Sequence, residues 1–201
     1  PAAVFGQRLV TGRWHLINEL VCFDMGVIRF SELLRSEIAK NYKGYEIHIY
    51  GDPAGDFRSQ TDERTPFQIM RQQGLNALPA PSNDVALRIE AVDAALSRLL
   101  DGKPGFLMDR KCINLKKGFN GGYHYRRLQV SGDRYDEKPL KNRYSHVHDA
   151  LQYLMMGAGE GRTILAGKTK STPTIAHRDF DVFKTRKTSK RKVWDLFKRN
   201  G

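Results

Sequence analysis

The order of apolar patterns constrains the fold of this chain more than any other feature of its sequence. The segments "AAVFGQRLV" and "WHLINELVCF" have strand-type patterns and are separated by "TGR", which predicts two strands joined by a tight turn. Helical spacing follows in "FSELLRSEIAKNY", with Ser31 as the predicted cap. A strand-type pattern returns in "YEIHIYGD", where a parallel strand reached through a helix is expected.

The second half of the chain repeats this mixture of patterns. A short helix is predicted in "TPFQIMRQQG", a loop in "LPAPSN", and a long helix in "DVALRIEAVDAALSRLL" that is capped by Ser82 or Asn83. The predicted buried stripe of the long helix consists of Val85, Ile89, Val92, Leu96 and Leu99. A strand in "GFLMD", a long polar hairpin that turns at 131–133 and a helix that begins at Ser145 complete the order. This order predicts the α/β class, with a mixed sheet flanked by helices.

Length, composition and cysteine count bound the class of protein. A chain of 201 residues can bury the core of one ordinary domain, and 40% apolar residues is typical of a globular protein. No run of 18 apolar residues and no signal peptide is recognisable, so no membrane partner is expected. Cys22 and Cys112 form no disulfide framework, which fits a reducing cytoplasm. Because the chain begins at Pro1, we interpret it as a piece of a longer protein.

Positive charge is concentrated at the carboxyl end. The chain has 34 basic and 22 acidic residues, a net charge of +12, and "KTRKTSKRKVWDLFKRNG" at its end holds eight basic residues and one acidic residue. We predict a folded domain over residues 1–158 and a basic, weakly ordered extension over residues 159–201. The extension either binds a nucleic-acid backbone or is solvated without a target, and the sequence leaves both open.

Spacing argues against two common kinds of site. "GRTILAGKT" has five residues between Gly161 and Gly167, where a phosphate-binding loop has four, and it follows a predicted helix instead of a strand. His146 and His148 are two positions apart, so they do not face one ion from a helix, and no cysteine pair completes a zinc site.

Two aspartates are candidate ligands of a hard divalent cation. Asp52 ends a predicted strand, where α/β sheets place their sites, although an aspartate there also starts ordinary turns. Asp149 lies on the last predicted helix and shares a face with His146 and Tyr153, for which a solvated polar face is the alternative. The opposite, apolar face consists of Val147, Ala150, Leu151, Leu154 and Ala158.

Several short blocks resemble the nuclease domain of the large terminase subunit of tailed phages. They are "PAAVFGQ", "GDPAG", "LRIEAV", "NGGYHYRR" and "PLKNRYSHVHDALQYL", and the resemblance covers residues 1–158. It implies a ribonuclease-H-like mixed sheet with a long hairpin near the site. It also implies a metal-dependent endonuclease that uses two Mg²⁺ or Mn²⁺ ions to cut concatemeric viral DNA during headful packaging into the capsid.

Carried over residue by residue, the resemblance makes Asp52 and Asp149 catalytic metal ligands. The family's first acidic ligand lies on its first strand, just before the block that "PAAVFGQ" matches, so that part of the strand is expected outside this chain. His148 stands where some relatives have a further acid. The predicted supporting residues are His146, His148 and Tyr153, and the predicted DNA contacts on the hairpin are Arg126, Arg127 and Arg134. A solvated hairpin is the alternative for the arginines.

The resemblance also implies partners and a location. The partners are double-stranded DNA, the portal protein, the small terminase subunit and a packaging ATPase domain of the same full-length chain. The location is the cytoplasm of the infected bacterial host and, transiently, the capsid portal. The alternative is a non-cleaving DNA-binding or portal-docking module, in which the apolar residues Trp194, Leu196 and Phe197 of the extension would matter most.

Overall fold

The computed structural model describes residues 1–56, 64–128 and 134–160, which form helices and small sheets of the predicted mixed α/β class. The strands are β1 (Ala2–Arg8), β2 (Trp14–Val21), β3 (Ile49–Gly51), β4 (Ala77–Pro79), β5 (Leu99–Leu100), β6 (Lys103–Pro104), β7 (Phe106–Met108), β8 (Tyr125–Arg127) and β9 (Tyr135–Pro139). The α-helices are α1 (Val27–Asn41), α2 (Pro66–Gln72), α3 (Val85–Leu96), α4 (Ile113–Lys117) and α5 (Ser145–Gly157). A 3-10 turn (Pro53–Asp56) follows β3, and a π-type turn (Gly118–Gly122) follows α4.

The strands pair as four small sheets within the described residues. β1 and β2 are antiparallel, with a bulge between Phe5 and Gly6, and β2 pairs with β7 in parallel, which makes a mixed three-stranded sheet. β3 and β4 form a parallel pair joined through α2, so a strand is present in the predicted segment, but its parallel partner is the later strand β4 and it does not pair with β1 or β2. β5–β6 and β8–β9 are antiparallel pairs, and the second is the predicted hairpin, whose turn lies outside the described residues.

The core lies on both faces of the mixed sheet. Ala2 and Val4 of β1 pack into the cluster that contains the buried side chains of α5, whereas Ala3 and Phe5 pack into the cluster of α1. Successive side chains of a strand point to opposite faces, so this alternation places a helix on each side of β1. The helices predicted to flank the sheet are therefore present.

Several local predictions were wrong. α1 begins at Val27 with Gly26 at its N-cap, and Ser31 lies inside the helix, where its hydroxyl donates to the Val27 carbonyl at 2.7 Å. "LPAPSN" contains the end of β4, because Ala77–Pro79 pairs with β3. α3 is capped by Asp84, whose carboxylate accepts a hydrogen bond from the Leu87 amide at 3.0 Å.

The buried face of α3 also differs from the predicted stripe. Leu96 and Leu99 are exposed, and the buried residues are Arg88, Ala91, Val92 and Ala95. The small alanines leave room for α5, which contacts α3 along this face. The consequence for the site is that a charged residue, Arg88, faces the helix that carries Asp149.

Gly157 ends α5 and lies against the Tyr50 ring of β3. A Cβ at this position would stand 2.0 Å from Tyr50 Cγ, so only glycine allows the strand to approach the helix this closely. Asp52 follows β3 and Asp149 lies on α5, so this contact helps to set the separation of the two candidate ligands.

We expect Gly157→Ala to lower the free energy of unfolding by about 1–3 kcal/mol, the usual cost of overpacking a core. Gly26→Ser is the matched control, because a Cβ at Gly26 meets no atom within 4 Å and serine is a favourable N-cap residue. Urea unfolding of both variants measures the difference. Equal midpoints would contradict the close contact with Tyr50.

Within the same three described ranges, no helix combines the length and apolar character needed to cross a lipid bilayer.

Candidate metal and phosphate site

Asp52 lies at the carboxyl end of β3, as predicted, and is exposed. Its Oδ1 accepts a hydrogen bond from the Ala54 amide at 2.9 Å, and its carbonyl accepts one from the Gly55 amide at 2.8 Å. These bonds are those of an aspartate-initiated turn, so the side chain does start the 3-10 turn. The turn fixes one carboxylate oxygen of Asp52 against the backbone.

Asp149 lies in the second turn of α5 and is bound by two cations. Lys141 Nζ donates to Oδ2 at 2.7 Å, and Arg88 Nη1 donates to Oδ1 at 3.4 Å. The Asp149 side chain is 16% exposed and that of Lys141 is 73% exposed, whereas Arg88 is buried. The carboxylate is thus held from the protein interior by a guanidinium and from the solvent side by an ammonium.

Arg88 is the site residue to which sequence reasoning assigned no role. Its guanidinium carbon lies 4.6 Å from the centre of the Tyr153 ring, over the ring face, and its buried Nε has no hydrogen-bond partner among the described residues. The segment "LRIEAV" contributed to the family resemblance, but the apolar pattern around it predicted only a buried stripe. A lone arginine inside an apolar helix is the signal that could have identified it, since a buried cation needs a partner.

Tyr153 lies beside Arg88 and is influenced by both candidate ligands. Its hydroxyl donates to Asn83 Oδ1 at 2.7 Å. Burial raises the pKa of Tyr153, the Arg88 guanidinium opposes this rise, and the negative charges of Asp52 and Asp149 add to it. Arg88 contacts both Asp149 and Tyr153, and the charge of Asp52 also reaches Tyr153, although the two aspartates come from segments almost 100 residues apart.

The two predicted histidines lie in different environments. His146 is exposed at the start of α5. His148 is buried, stacks on the Tyr123 ring at 4.6 Å between ring centres, and has its Nε2 3.3 Å from the Leu115 carbonyl oxygen. Burial lowers the pKa of His148, with an opposing contribution from the Leu115 hydrogen bond. His148 therefore packs α5 against α4 and the π-type turn, and it is not an exposed lining of the site.

The hairpin β8–β9 leads directly into the site, because Lys141 follows the end of β9 by two residues. Arg126 and Arg127 on β8 and Arg134 beside β9 are exposed, as the prediction of DNA contacts requires. Arg126 forms an ion pair with Asp136 at 3.1 Å, which neutralises part of its charge. At the base of the hairpin, the Tyr123 hydroxyl accepts a hydrogen bond from Gln152 of α5 at 3.0 Å.

The acidic groups fit one hard cation better than two. No cluster of three or more His, Cys, Asp or Glu side chains suited to a metal occurs in the parts of the chain that the structure describes. Magnesium, however, is commonly held by one or two carboxylates together with water and substrate phosphates. Asp52 and Asp149 are ligands of that type, and the Lys141 ammonium on Asp149 shows that a cation can reach this carboxylate from solvent.

Neither candidate ligand lines the aromatic cavity beside β1 and β3. A cavity of about 680 Å³ is lined by the aromatic residues Phe5, Trp14, Tyr42, Tyr45 and Tyr50 together with parts of α5, and neither Asp52 nor Asp149 is among its lining residues. The candidate site is therefore identified by the chemistry of its side chains and not by concavity.

Comparisons of this chain with protein-family models, with curated proteins and with solved structures find no match.

Proposed function

We propose that this chain is a divalent-metal-dependent endonuclease acting on double-stranded DNA, built on a ribonuclease-H-like arrangement. The observation that supports it best is that two cations, Arg88 and Lys141, converge on Asp149, while the charges of both Asp52 and Asp149 reach the nearby Tyr153. Two carboxylates beside cationic side chains are suited to a phosphodiester, because the carboxylates bind the metal and the cations attract the phosphate.

Four residues have a defined part in the proposed site. Asp52 and Asp149 would hold the cation, Arg88 orients the Asp149 carboxylate from the interior, and Tyr153 packs against the Arg88 guanidinium. A bound divalent ion supplies activation of water and stabilisation of the departing oxygen at neutral pH. Two ions, as the family resemblance implies, would need at least one acidic ligand more than this pair.

The wider role also belongs to the proposal. The resemblance to the terminase nuclease points to cleavage of concatemeric viral DNA during packaging, in the host cytoplasm and at the capsid portal. The exposed hairpin arginines support binding to DNA without sequence specificity, because exposed cations bind backbone phosphates and do not read the bases. The portal, the small terminase subunit and the packaging ATPase domain are the further proposed partners.

One observation favours a second candidate, a DNA-binding module that does not cleave. Both oxygens of Asp149 are engaged by Arg88 and Lys141, as in a structural ion-pair network. In that case the cations would neutralise a carboxylate that never binds metal. Cleavage by the intact chain separates the two candidates, because both predict DNA binding.

A plasmid-nicking assay tests the proposed function. The chain is expected to nick supercoiled plasmid in Mg²⁺ or Mn²⁺ and to lose this activity in a chelator. Asp52→Asn should reduce nicking by about a hundredfold or more, because a metal contributes several kcal/mol to the transition state. The amide oxygen can still accept the Ala54 hydrogen bond, so the turn is expected to persist.

Asp101→Asn is the matched control for this substitution. Asp101 is exposed and has a positive φ of 52°, a conformation that asparagine tolerates equally well. Its nicking rate should equal that of the wild type. Binding of the plasmid without any metal-dependent nicking would reject the nuclease and favour the non-cleaving module.

A further inference from the structure

Lys141 is placed at the candidate site with no role so far. Its ammonium is 2.7 Å from Asp149 Oδ2, while most of its side chain is exposed to solvent. The residue follows the hairpin strand β9 and precedes α5, so in the chain it connects the hairpin proposed to bind DNA with the helix that carries Asp149. An exposed lysine on a long flexible stem can leave one partner for another at small cost.

The two cations on Asp149 differ in their freedom to move. Arg88 is buried and stacked over Tyr153, so its contact with Oδ1 is built into the packing of α3 on α5. Lys141 reaches Oδ2 from the solvent side, the side from which an ion and a DNA strand would arrive. A divalent cation that binds Oδ2 must therefore displace Lys141 and leave Arg88 in place.

We propose that Lys141 exchanges partners during the catalytic cycle: its ammonium neutralises Asp149 until a divalent cation binds, and it then binds a phosphate of the DNA backbone. This inference rests on the proposed function and names a residue that contacts the substrate. The exchange conserves charge balance, because the arriving cation replaces the ammonium at the carboxylate while the ammonium gains an anionic phosphate. It also keeps the carboxylate paired before the metal arrives, which limits repulsion between Asp149 and the DNA.

Direct metal binding tests the first half of the exchange. Titration of Mn²⁺ into the chain, followed by calorimetry, should show an affinity about two- to fivefold tighter for Lys141→Met than for the wild type, because the competing ammonium is removed. Lys43→Met is the matched control, since Lys43 is an exposed lysine just after α1, and its Mn²⁺ affinity should be that of the wild type. Asp149→Asn should abolish the site.

The salt dependence of DNA binding tests the second half. Affinity for a short duplex is measured by fluorescence anisotropy at several salt concentrations, with and without Ca²⁺, a hard cation that takes the same oxygen ligands. In Ca²⁺, the slope of log affinity against log salt should be smaller for Lys141→Met than for the wild type by about one. Without divalent ions the two slopes should agree, because Lys141 then remains on Asp149.

The outcomes separate this inference from the proposed function. Unchanged Mn²⁺ affinity in Lys141→Met, or equal slopes in Ca²⁺, would overturn the exchange, even if Asp149→Asn loses Mn²⁺ binding and nicking as a metal ligand should. A lower slope for Lys141→Met both with and without Ca²⁺ would also overturn it, because a permanent phosphate contact needs no exchange. Failure of the nuclease would instead appear as plasmid binding without metal-dependent nicking, or as nicking that neither aspartate variant affects.

Discussion

Asp149→Asn is expected to abolish metal-dependent nicking and, unlike Asp52→Asn, to lower the stability of the fold. The first effect follows from the loss of a charged metal ligand and should exceed about a hundredfold. The second follows from Arg88, which is buried and whose guanidinium would then face a neutral amide. Breaking a buried ion pair on one side costs about 3–5 kcal/mol, and the partial exposure of Asp149 reduces the expected loss to about 2–3 kcal/mol.

A double variant separates the two effects. Arg88→Met removes the buried charge and keeps a side chain of similar length, so Arg88→Met combined with Asp149→Asn should recover part of the lost stability while nicking stays absent. Urea unfolding and plasmid nicking are measured on both single variants and on the double variant. If Asp149→Asn nicks plasmid at close to the wild-type rate at matched metal, Asp149 is not a ligand. If its unfolding midpoint is unchanged, the ion pair contributes nothing to stability.

Short-range patterns predicted much of the fold. The alternating segments around "TGR" are β1 and β2, and Gly74, the last residue of the segment predicted as a short helix, follows the end of α2 with a positive φ of 78°. These features depend on residues a few positions apart, which is the range in which strand alternation and turn chemistry act. The carboxyl-end position of Asp52 was predictable for the same reason, since a strand and a following proline specify it locally.

The burial of Arg88 depends on contacts that no local pattern contains. Its partner Asp149 is 61 positions away, and the face of α3 that meets α5 is chosen by the small residues Ala91 and Ala95. Apolar periodicity favoured larger side chains such as Leu96, which the structure leaves exposed. Periodicity gives the direction of an apolar stripe, but the fit of the neighbouring helix decides which residues lie beneath it.

His148 shows the same limit. The sequence places two histidines beside Asp149, but only the structure shows that one is exposed and the other buried. The burial of His148 requires Gly118, since a Cβ there would lie 1.9 Å from His148 Nε2. The sequence does not distinguish a glycine that leaves space for a distant side chain from one that only precedes a turn.

Glu160→Gln should produce a large loss of stability, because Glu160 joins the end of α5 to β1, to β2 and to the segment that follows α3. Its carboxylate accepts a hydrogen bond from Trp14 Nε1 at 2.7 Å and forms an ion pair with Arg98, and Arg8 lies 3.7 Å away. The sequence assigned this residue to the extension after 158, yet it is 8% exposed. Removing the charge while keeping the shape should cost about 2–3 kcal/mol, as expected for charge-assisted bonds in a buried position.

The backbone after α5 explains how Glu160 reaches this position. Gly159 has a positive φ of 89°, and the amides of Gly159 and Glu160 donate to the carbonyls of Met156 and Met155 at 3.1 and 3.0 Å. These two bonds are the Schellman pattern of a helix end, which reverses the chain and directs the Glu160 side chain towards the folded domain.

A chain that ends after Gly161 should therefore keep its free energy of unfolding. A chain that ends after Ala158 should lose at least as much of it as Glu160→Gln does.

The pH dependence of stability identifies the Glu160 charge as the cause. Burial opposes ionisation of Glu160, but the hydrogen bonds from Arg98 and Trp14 together with the arginine charges outweigh it and lower the pKa below its ordinary value of 4.5. A carboxylate with a lowered pKa in the folded state stabilises the fold above its unfolded pKa, and this contribution is lost as the pH falls through the folded pKa. The difference in unfolding free energy between the wild type and Glu160→Gln should thus be full at pH 7 and shrink below about pH 4.5.

Glu46→Gln is the control, since Glu46 is an exposed partner of His48 and its loss should change the unfolding free energy little at any pH. A difference that stays constant from pH 7 to pH 3 would show that Glu160 acts through shape and not through its charge.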